Sequence, residues 1–479
     1  MSGAPGRDEE GSTLAPLLLI ALLGIGYAVL ARVALRSFPY SGDEYSGYLQ
    51  AELFARGLLR APAPPHPELL RVDHVVIDEW VRSKYPPGAS ALLALGVRAG
   101  LPWLVTPVEG VVALAAVWRT TLAHLGSRAA LLAVVVLGIA PLFAFQAASF
   151  FGHTPVTMWL ALAFAAMSLW MRTGAAGWPV LGGAAVGCAF LTRPGDAAWF
   201  AVALLALRSP RVLWLTALGA APFVGAYLGY QALQFGSPFA DGYHAYEPTF
   251  RAIYGQDTGH PLSLLYLVSP KEQANHLDVI RALAMEWTVP GTTLLAIVGA
   301  CAIGKDHPAR RMRDLALAVA IVPLAMLFVS VADTDDGARA RYLSTTLIPL
   351  AFLSGPGWEA SKAALRSLVG PRLTSATAVA ALVGAPVQMG SFLGHRVPEV
   401  KFRDGLFAEV RAAGIEQGVV VIRAEWPTRY ARNGPFFDRP VLYLSAPPNM
   451  TVEEVAALYP GRPIYEAREG WRWKVVRRV

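Results

Sequence analysis

Ser41-Gly42-Asp43-Glu44-Tyr45 stands directly after an apolar run, Leu14 to Leu35, that is long enough to cross a bilayer. Ionised side chains resist the low-dielectric boundary of a membrane, so a carboxylate pair where a span meets water is costly unless it has a task. The residues that follow keep helical spacing, with Tyr45, Tyr48, Leu49, Leu53 and Leu58 recurring on one side. A helix lying along the membrane surface would hold Asp43 in place. The opening of the chain therefore reads as a retained span followed by a polar site at the membrane face.

Composition agrees. Hydrophobic residues make up 54% of the 479 positions and charged ones 16%, against about 25% charged in a soluble domain. The net charge of +7 fits Lys and Arg gathered in cytoplasmic loops, so no nucleic-acid partner is expected. Cys188 and Cys301 both lie inside apolar runs, which implies neither a disulfide framework nor a thiolate metal site.

Apolar runs of spanning length fall near 13–36, 103–123, 127–148, 154–171, 177–192, 195–207, 212–232, 287–304, 314–332, 343–360 and 373–393. The expected fold class is a polytopic α-helical membrane protein of about 11 transmembrane helices (13–393), after a disordered tail at 1–12. The runs at 177–192 and 195–207 are short, with Arg193-Pro194-Gly195-Asp196 between them. Merging them would place Arg193 deep in lipid at a cost of about 2.5–3.5 kcal/mol, so two short helices joined at the surface are expected. With the N-terminus inside, the inner connections carry Arg119, Arg128, Arg172, Arg208, Arg211, Lys305, Arg310, Arg311, Arg313, Lys362, Arg366 and Arg372, as the positive-inside rule requires. Arg32 and Arg36 stand against it. The outer loops are then 37–102 and 233–286.

Residues 394–479 differ in texture. Gly418 to Ile422 and Val441 to Leu444 read as short strands, Thr451 to Leu458 as a helix opened by a capping box, and Ile464 to Glu466 and Trp471 to Val476 as further strands. This is a small α/β soluble domain. An odd number of spans puts it outside.

The candidate site residues share that outer face. Asp43 and Glu44 are the candidate catalytic carboxylates, suited to general-base work or to holding a divalent ion; solvated loop acids are the plain alternative. Lys84-Tyr85-Pro86-Pro87-Gly88 aims a cation and a ring inward through two prolines, although a lysine there could also snorkel to water. Arg193 suits an anion, because guanidinium grips phosphate oxygens in a fork; Asp196 offers it a local partner instead. His153 sits at a helix end. Arg339, Arg341 and Tyr342 approach another span from the outside, as headgroup ligands or as interfacial anchors. Gly242-Tyr243-His244-Ala245-Tyr246 is aromatic enough to stack on a sugar, or simply to pack a loop.

Taken in order, Gly42-Asp43-Glu44, Lys84-Tyr85-Pro86-Pro87-Gly88, Ser149-Phe150-Phe151-Gly152-His153-Thr154-Pro155, Leu191-Thr192-Arg193-Pro194, Phe235-Gly236-Ser237-Pro238 and Arg341-Tyr342-Leu343 resemble the GT-C superfamily of polyprenyl-phosphate-dependent glycosyltransferases. The best match is the bacterial group of protein mannosyltransferases and aminoarabinose transferases. The resemblance covers residues 13–360. It implies a multi-pass protein of the bacterial inner membrane, a polyprenyl-phosphate-linked sugar donor, a lipid, glycan or protein acceptor, transfer at the outer face with inversion, and Asp43 as the base. Lys84, Tyr85, His153, Arg193, Arg339, Arg341 and Tyr342 become the candidate substrate and lipid-phosphate ligands. A second acidic motif carried by some relatives is replaced here by His153-Thr154, so no cofactor is certain and a divalent metal ion stays an open alternative.

Two rival readings compete. A transporter or flippase of lipid-linked sugars would place its ionisable residues near the midplane of repeated halves, whereas the polar motifs here gather at one face and no repeat is visible. A scaffold protein would leave the acid and the cations without a purpose.

Overall fold

A computed structural model of the chain describes residues 14–255, 263–329 and 340–478. Helix α1 (Leu14–Val29), prolonged by a π-helical turn to Ala34, leads into α2 (Gly42–Ala55). A small antiparallel sheet follows, β1 (Ala61–Pro62), β2 (Val75–Ile77) and β3 (Trp80–Ser83), with β3 in the middle. Next come α3 (Pro87–Arg98), α4 (Val105–Gly138), α5 (Pro141–Gln146), α6 (His153–Thr173), α7 (Gly177–Thr192), α8 (Pro194–Ala203), α9 (Pro210–Phe235), α10 (Gly242–Tyr254), α11 (Pro270–Met285), α12 (Thr292–Ala302), α13 (Arg310–Leu327) and α14 (Leu347–Ala412). Proline opens α3, α5, α8, α9 and α11 at their first residue, where its missing N–H costs nothing and its fixed φ suits the helix.

Among the described residues, five helical stretches are long and apolar enough to cross a membrane: 14–34, 102–138, 153–173, 210–235 and 341–412. The stretches 177–192, 194–207 and 292–302 are apolar but shorter. Backbone breaks divide two of the long ones, at Gly126 (φ 82°, ψ 175°) in α4 and at Gly370 (φ 78°, ψ 165°) in α14. These breaks separate the helices expected near 103–123 and 127–148, and near 343–360 and 373–393. The expected span at 127–148 is further divided between the end of α4 and the short α5. Past Gly370, α14 runs on through 393 to Ala412, so one helix joins the last span to the tail.

Helices α7 and α9 meet backbone to backbone. A Cβ at Gly183 would lie 2.0 Å from the Thr216 carbonyl oxygen, and one at Gly219 would lie 1.9 Å from that of Val180. Small residues are what allow such approach where lipid removes the hydrophobic drive between helices.

The tail forms a four-stranded sheet of β4 (Gly418–Arg423), β5 (Val441–Leu444), β6 (Ile464–Arg468) and β7 (Lys474–Arg477), in the order β5-β4-β6-β7. Its central strand β4 is parallel to β5 and β6, and β7 is antiparallel. Helix α15 (Val452–Leu458) starts at a complete capping box of Thr451 and Glu454. The strands and helix read from sequence are thus present. The tail does not stand apart, however. Val419 to Ile422 and Leu444 share one buried cluster with Tyr45, Leu49 and Leu53 of α2, with Leu69, Leu70, Val72, Val75 and Val81 of the first loop, and with Leu406 and Val410 of α14. The C-terminal domain is the far wall of the loop that carries Asp43.

Candidate active site

Ser41 caps α2. Its hydroxyl accepts the Glu44 N–H at 3.2 Å, and Glu44 Oε2 accepts the Ser41 N–H at 3.1 Å, a reciprocal capping box. Glu44 Oε1 accepts the Phe150 N–H at 2.8 Å, so the side chain also fastens the turn before α6. Both oxygens of Glu44, the second candidate catalytic carboxylate, are engaged by backbone, and the residue is 1% exposed. Burial pushes its carboxyl up to about 7, against the opposing hydrogen bonds from Ser41 and Phe150.

Asp43, one residue earlier on the first turn, points elsewhere. Its Oδ1 accepts the Tyr85 hydroxyl and lies 3.2 Å from His74 Nε2, while Oδ2 lies 3.7 Å from an Arg341 Nη. Burial alone would raise its carboxyl; His74, Arg341, Lys84 and the Tyr85 hydroxyl together outweigh burial and hold it well below the usual carboxylate range. The N-terminal end of α2 favours the same ionised form.

Lys84 is buried, with Nζ 5.2, 4.9 and 4.8 Å from the ring centroids of Tyr85, Tyr243 and Tyr246. The first residue of α10 makes this possible: a Cβ at Gly242 would sit 2.1 Å from the Lys84 carbonyl oxygen. The aromatic stretch Gly242 to Tyr246 is therefore a wall around Lys84. Tyr85 and Lys84 lie against one another, and Tyr243, half exposed, covers Lys84 from the other side.

Arg193 occupies the surface joint between α7 and α8. It donates Nε to Asp196 Oδ2 at 2.7 Å, the local pairing the sequence offered. Among the described residues its two terminal nitrogens make no hydrogen bond, and its guanidinium lies 5.5 Å from the Tyr342 ring centroid. Arg341, 5% exposed, donates to the Tyr342 hydroxyl at 3.1 Å and lies 5.8 Å from the Phe151 ring centroid. His153 opens α6 between the rings of Phe151 and Tyr342, with centroid distances of 5.8 and 6.0 Å. It is buried, and neither ring nitrogen has a hydrogen-bond partner among the described residues. Arg339 lies outside the described residues.

Asp43, Tyr85, Lys84, His153, Arg193, Arg341 and Tyr342 are thus linked through shared contacts, at one end of the helices. Sequence reasoning missed His74, a lone histidine in an irregular loop with no spacing to single it out. It left open the role of Tyr243 and Tyr246.

ArnT from Cupriavidus metallidurans, bound to undecaprenyl phosphate, superposes with a TM-score of 0.60 at 16% identity, over 98% of this chain and 99% of that one. This is a GT-C fold. The archaeal oligosaccharyltransferase AglB from Archaeoglobus fulgidus, in complex with an inhibitory peptide and a dolichol-phosphate, gives 0.50 at 14% identity, over 89% of this chain and 64% of that one. The Archaeoglobus fulgidus oligosaccharyltransferase in complex with Zn and sulfate gives 0.51 at 13% identity, over 86% and 60%. No protein-family profile matches the sequence, and no curated protein matches it.

Among the described residues no three His, Cys, Asp or Glu side chains group closely enough to hold an ion, and the two oxygens of Asp43 already face a hydroxyl, a histidine and a guanidinium. Lys84, Arg193 and Arg341 outnumber the two carboxylates beside them, Asp43 and Asp196. The site favours an anion over a cation.

Proposed function

We propose that this GT-C-fold protein is a membrane glycosyltransferase that moves a sugar from a polyprenyl-phosphate donor to an acceptor hydroxyl or amine, with inversion, at the outer face of the membrane. One observation carries the reading: a carboxylate, Asp43, held by Tyr85 and His74 on one oxygen and facing Arg341 on the other, beside the buried cation Lys84. The lipid phosphates bound to ArnT and AglB support a donor of the polyprenyl-phosphate class. The alternation of basic loops in the sequence supports the outer face as the side.

The chemistry needs few parts. Asp43 takes the proton of the acceptor as its oxygen or nitrogen forms a bond to the anomeric carbon. The bond from that carbon to the phosphate oxygen breaks on the opposite face, and the electron pair leaves with the phosphate. A phosphate departs without protonation, so the second carboxylate that hydrolases use as an acid has no task here. Lys84, Arg193 and Arg341 stabilise the charge that develops on it, with the fork of Arg193 suited to two oxygens. His153 and Tyr342 complete the polar lining.

The test is Asp43→Asn in purified protein given undecaprenyl-phosphoryl mannose, glucose and aminoarabinose, with membranes of a deletion strain as acceptor. Released undecaprenyl phosphate should fall by about 10²–10⁴-fold while expression persists. Unchanged release would overturn the reading.

A further inference from the structure

His74 occupies a conformation that calls for explanation. Its φ is 65°, in the left-handed region that residues with a Cβ avoid. Strain of this kind persists only where the surroundings over-determine it, and it clusters at functional sites. Here the surroundings are specific. The His74 carbonyl accepts the Ser46 hydroxyl at 2.5 Å and the Lys84 N–H at 3.3 Å. Ser46 lies 2.7 Å from the Ser83 hydroxyl, and the Ser83 N–H donates to Gln50 at 3.0 Å. Gly42 leaves room for the ring, since a Cβ there would lie 2.8 Å from His74 Cδ2. Tyr85 and Tyr246 flank the imidazole at 5.8 and 5.7 Å between centroids.

The preceding residue is tied down from two other elements. Asp73 accepts the Tyr254 hydroxyl of α10 at 3.0 Å and lies 3.9 Å from Arg429 Nε of the C-terminal domain. Three parts of the fold thus converge to set one ring against one carboxylate oxygen.

We propose that His74 is a positioning residue for the transfer reaction: its Nε2, set 3.2 Å from Asp43 Oδ1 beside the Tyr85 hydroxyl, holds that oxygen as an ion-pair partner and so leaves Oδ2 as the oxygen that meets the acceptor. This rests on Asp43 being the base. Charge alone does not require an imidazole here, because Lys84 and Arg341 already supply cations. A ring nitrogen at 3.2 Å on a backbone tied to Ser46 and Lys84 supplies a fixed position, which a lysine at the end of a flexible stem does not. Without it the carboxylate can turn about its terminal bond, and misplacement by about 1 Å can cost on the order of 10²-fold in rate.

The test compares His74→Ala, His74→Gln and Asp43→Asn, alone and combined, in full-length protein with the undecaprenyl-phosphoryl sugars above. His74→Ala should lower kcat by about 10–100-fold, with KM for the donor and affinity for undecaprenyl phosphate unchanged. His74→Gln, which keeps an N–H at similar reach, should recover part of that loss. Adding His74→Ala to Asp43→Asn should cost little more than Asp43→Asn alone. A wild-type kcat in His74→Ala with Asp43→Asn inactive overturns this inference alone. So do additive losses, or a loss of undecaprenyl phosphate binding that parallels turnover. Full turnover in Asp43→Asn sinks the glycosyl-transfer reading, and this with it.

Discussion

Lys84 and Tyr246 meet as cation and ring, 4.8 Å from Nζ to centroid, and the tyrosine is fully buried. A desolvated contact of this type contributes about 2 kcal/mol. Tyr246 thereby keeps the ammonium in the site rather than letting it reach for water. Lys84→Met should weaken undecaprenyl phosphate binding by about 10–100-fold, the worth of a hydrogen bond to a charged group. Tyr246→Leu should produce a smaller loss, and raising the salt concentration should narrow the gap between wild type and Lys84→Met. Binding of labelled undecaprenyl phosphate measures all three.

Arg341 offers a sharper test of geometry than of charge. Its guanidinium touches Asp43, Tyr342 and Phe151 together, a set that a compact ammonium cannot reproduce. Arg341→Lys should keep expression and lose about 10-fold or more in turnover. Arg341→Ala should also lower thermal stability, because it strips a part-buried carboxylate of one partner. Retention of full turnover in Arg341→Lys would show that only the charge matters.

The two acids of the first turn carry opposite pH signatures. Asp43 is lowered, so its stabilising contribution is complete above the ordinary aspartate range near ~3.9 and is lost only below it. It therefore adds no slope between about pH 5 and 8. Glu44 rises from 4.5 in the free chain to about 7 in the fold. Between those values the unfolded chain binds fewer protons than the native one, so stability falls as pH rises. Melting temperatures should decline from pH 5 to 7 in the wild type and stay level in Glu44→Gln. A matching slope in the variant would assign the effect to another group.

Tyr45 donates its hydroxyl to the Asn433 carbonyl and lies 4.4 Å beneath the Arg432 guanidinium. Leu49 and Leu53 are covered by the same cluster. Removing residues 413–479 would uncover these side chains, each worth about 1.5–3 kcal/mol when fully buried. Truncated protein should lose undecaprenyl phosphate binding and aggregate in detergent. A well-behaved truncation with wild-type binding would mean that the tail is dispensable to the site.

Much of this was legible because helix ends announce themselves. Pro87 and Pro194 fix the starts of α3 and α8, and so place Lys84 and Arg193 just ahead of helices. The capping box was also written in Ser41-Gly42-Asp43-Glu44, and it foretells that Glu44 turns back to the backbone while Asp43 does not. Adjacent residues on a helix do not share a face, so the two acids point to different surroundings. His74 carries no such mark, since its role depends on a loop folded against α2, α10 and a domain more than 350 residues away. The aromatic stretch at 243–246 was ambiguous for the same reason: only the approach of α10 to Lys84 distinguishes a cation's enclosure from loop packing.

The bond from Tyr45 to Asn433 spans 388 positions of chain. At about 5–20 residues per second, a ribosome needs roughly 20–80 s to travel between them. For that interval the nascent protein already has its acid inserted at the membrane but lacks the wall that sets it. Assembly of the candidate site is therefore timed by translation itself, and a stalled or prematurely ended product is left without the wall that completes it.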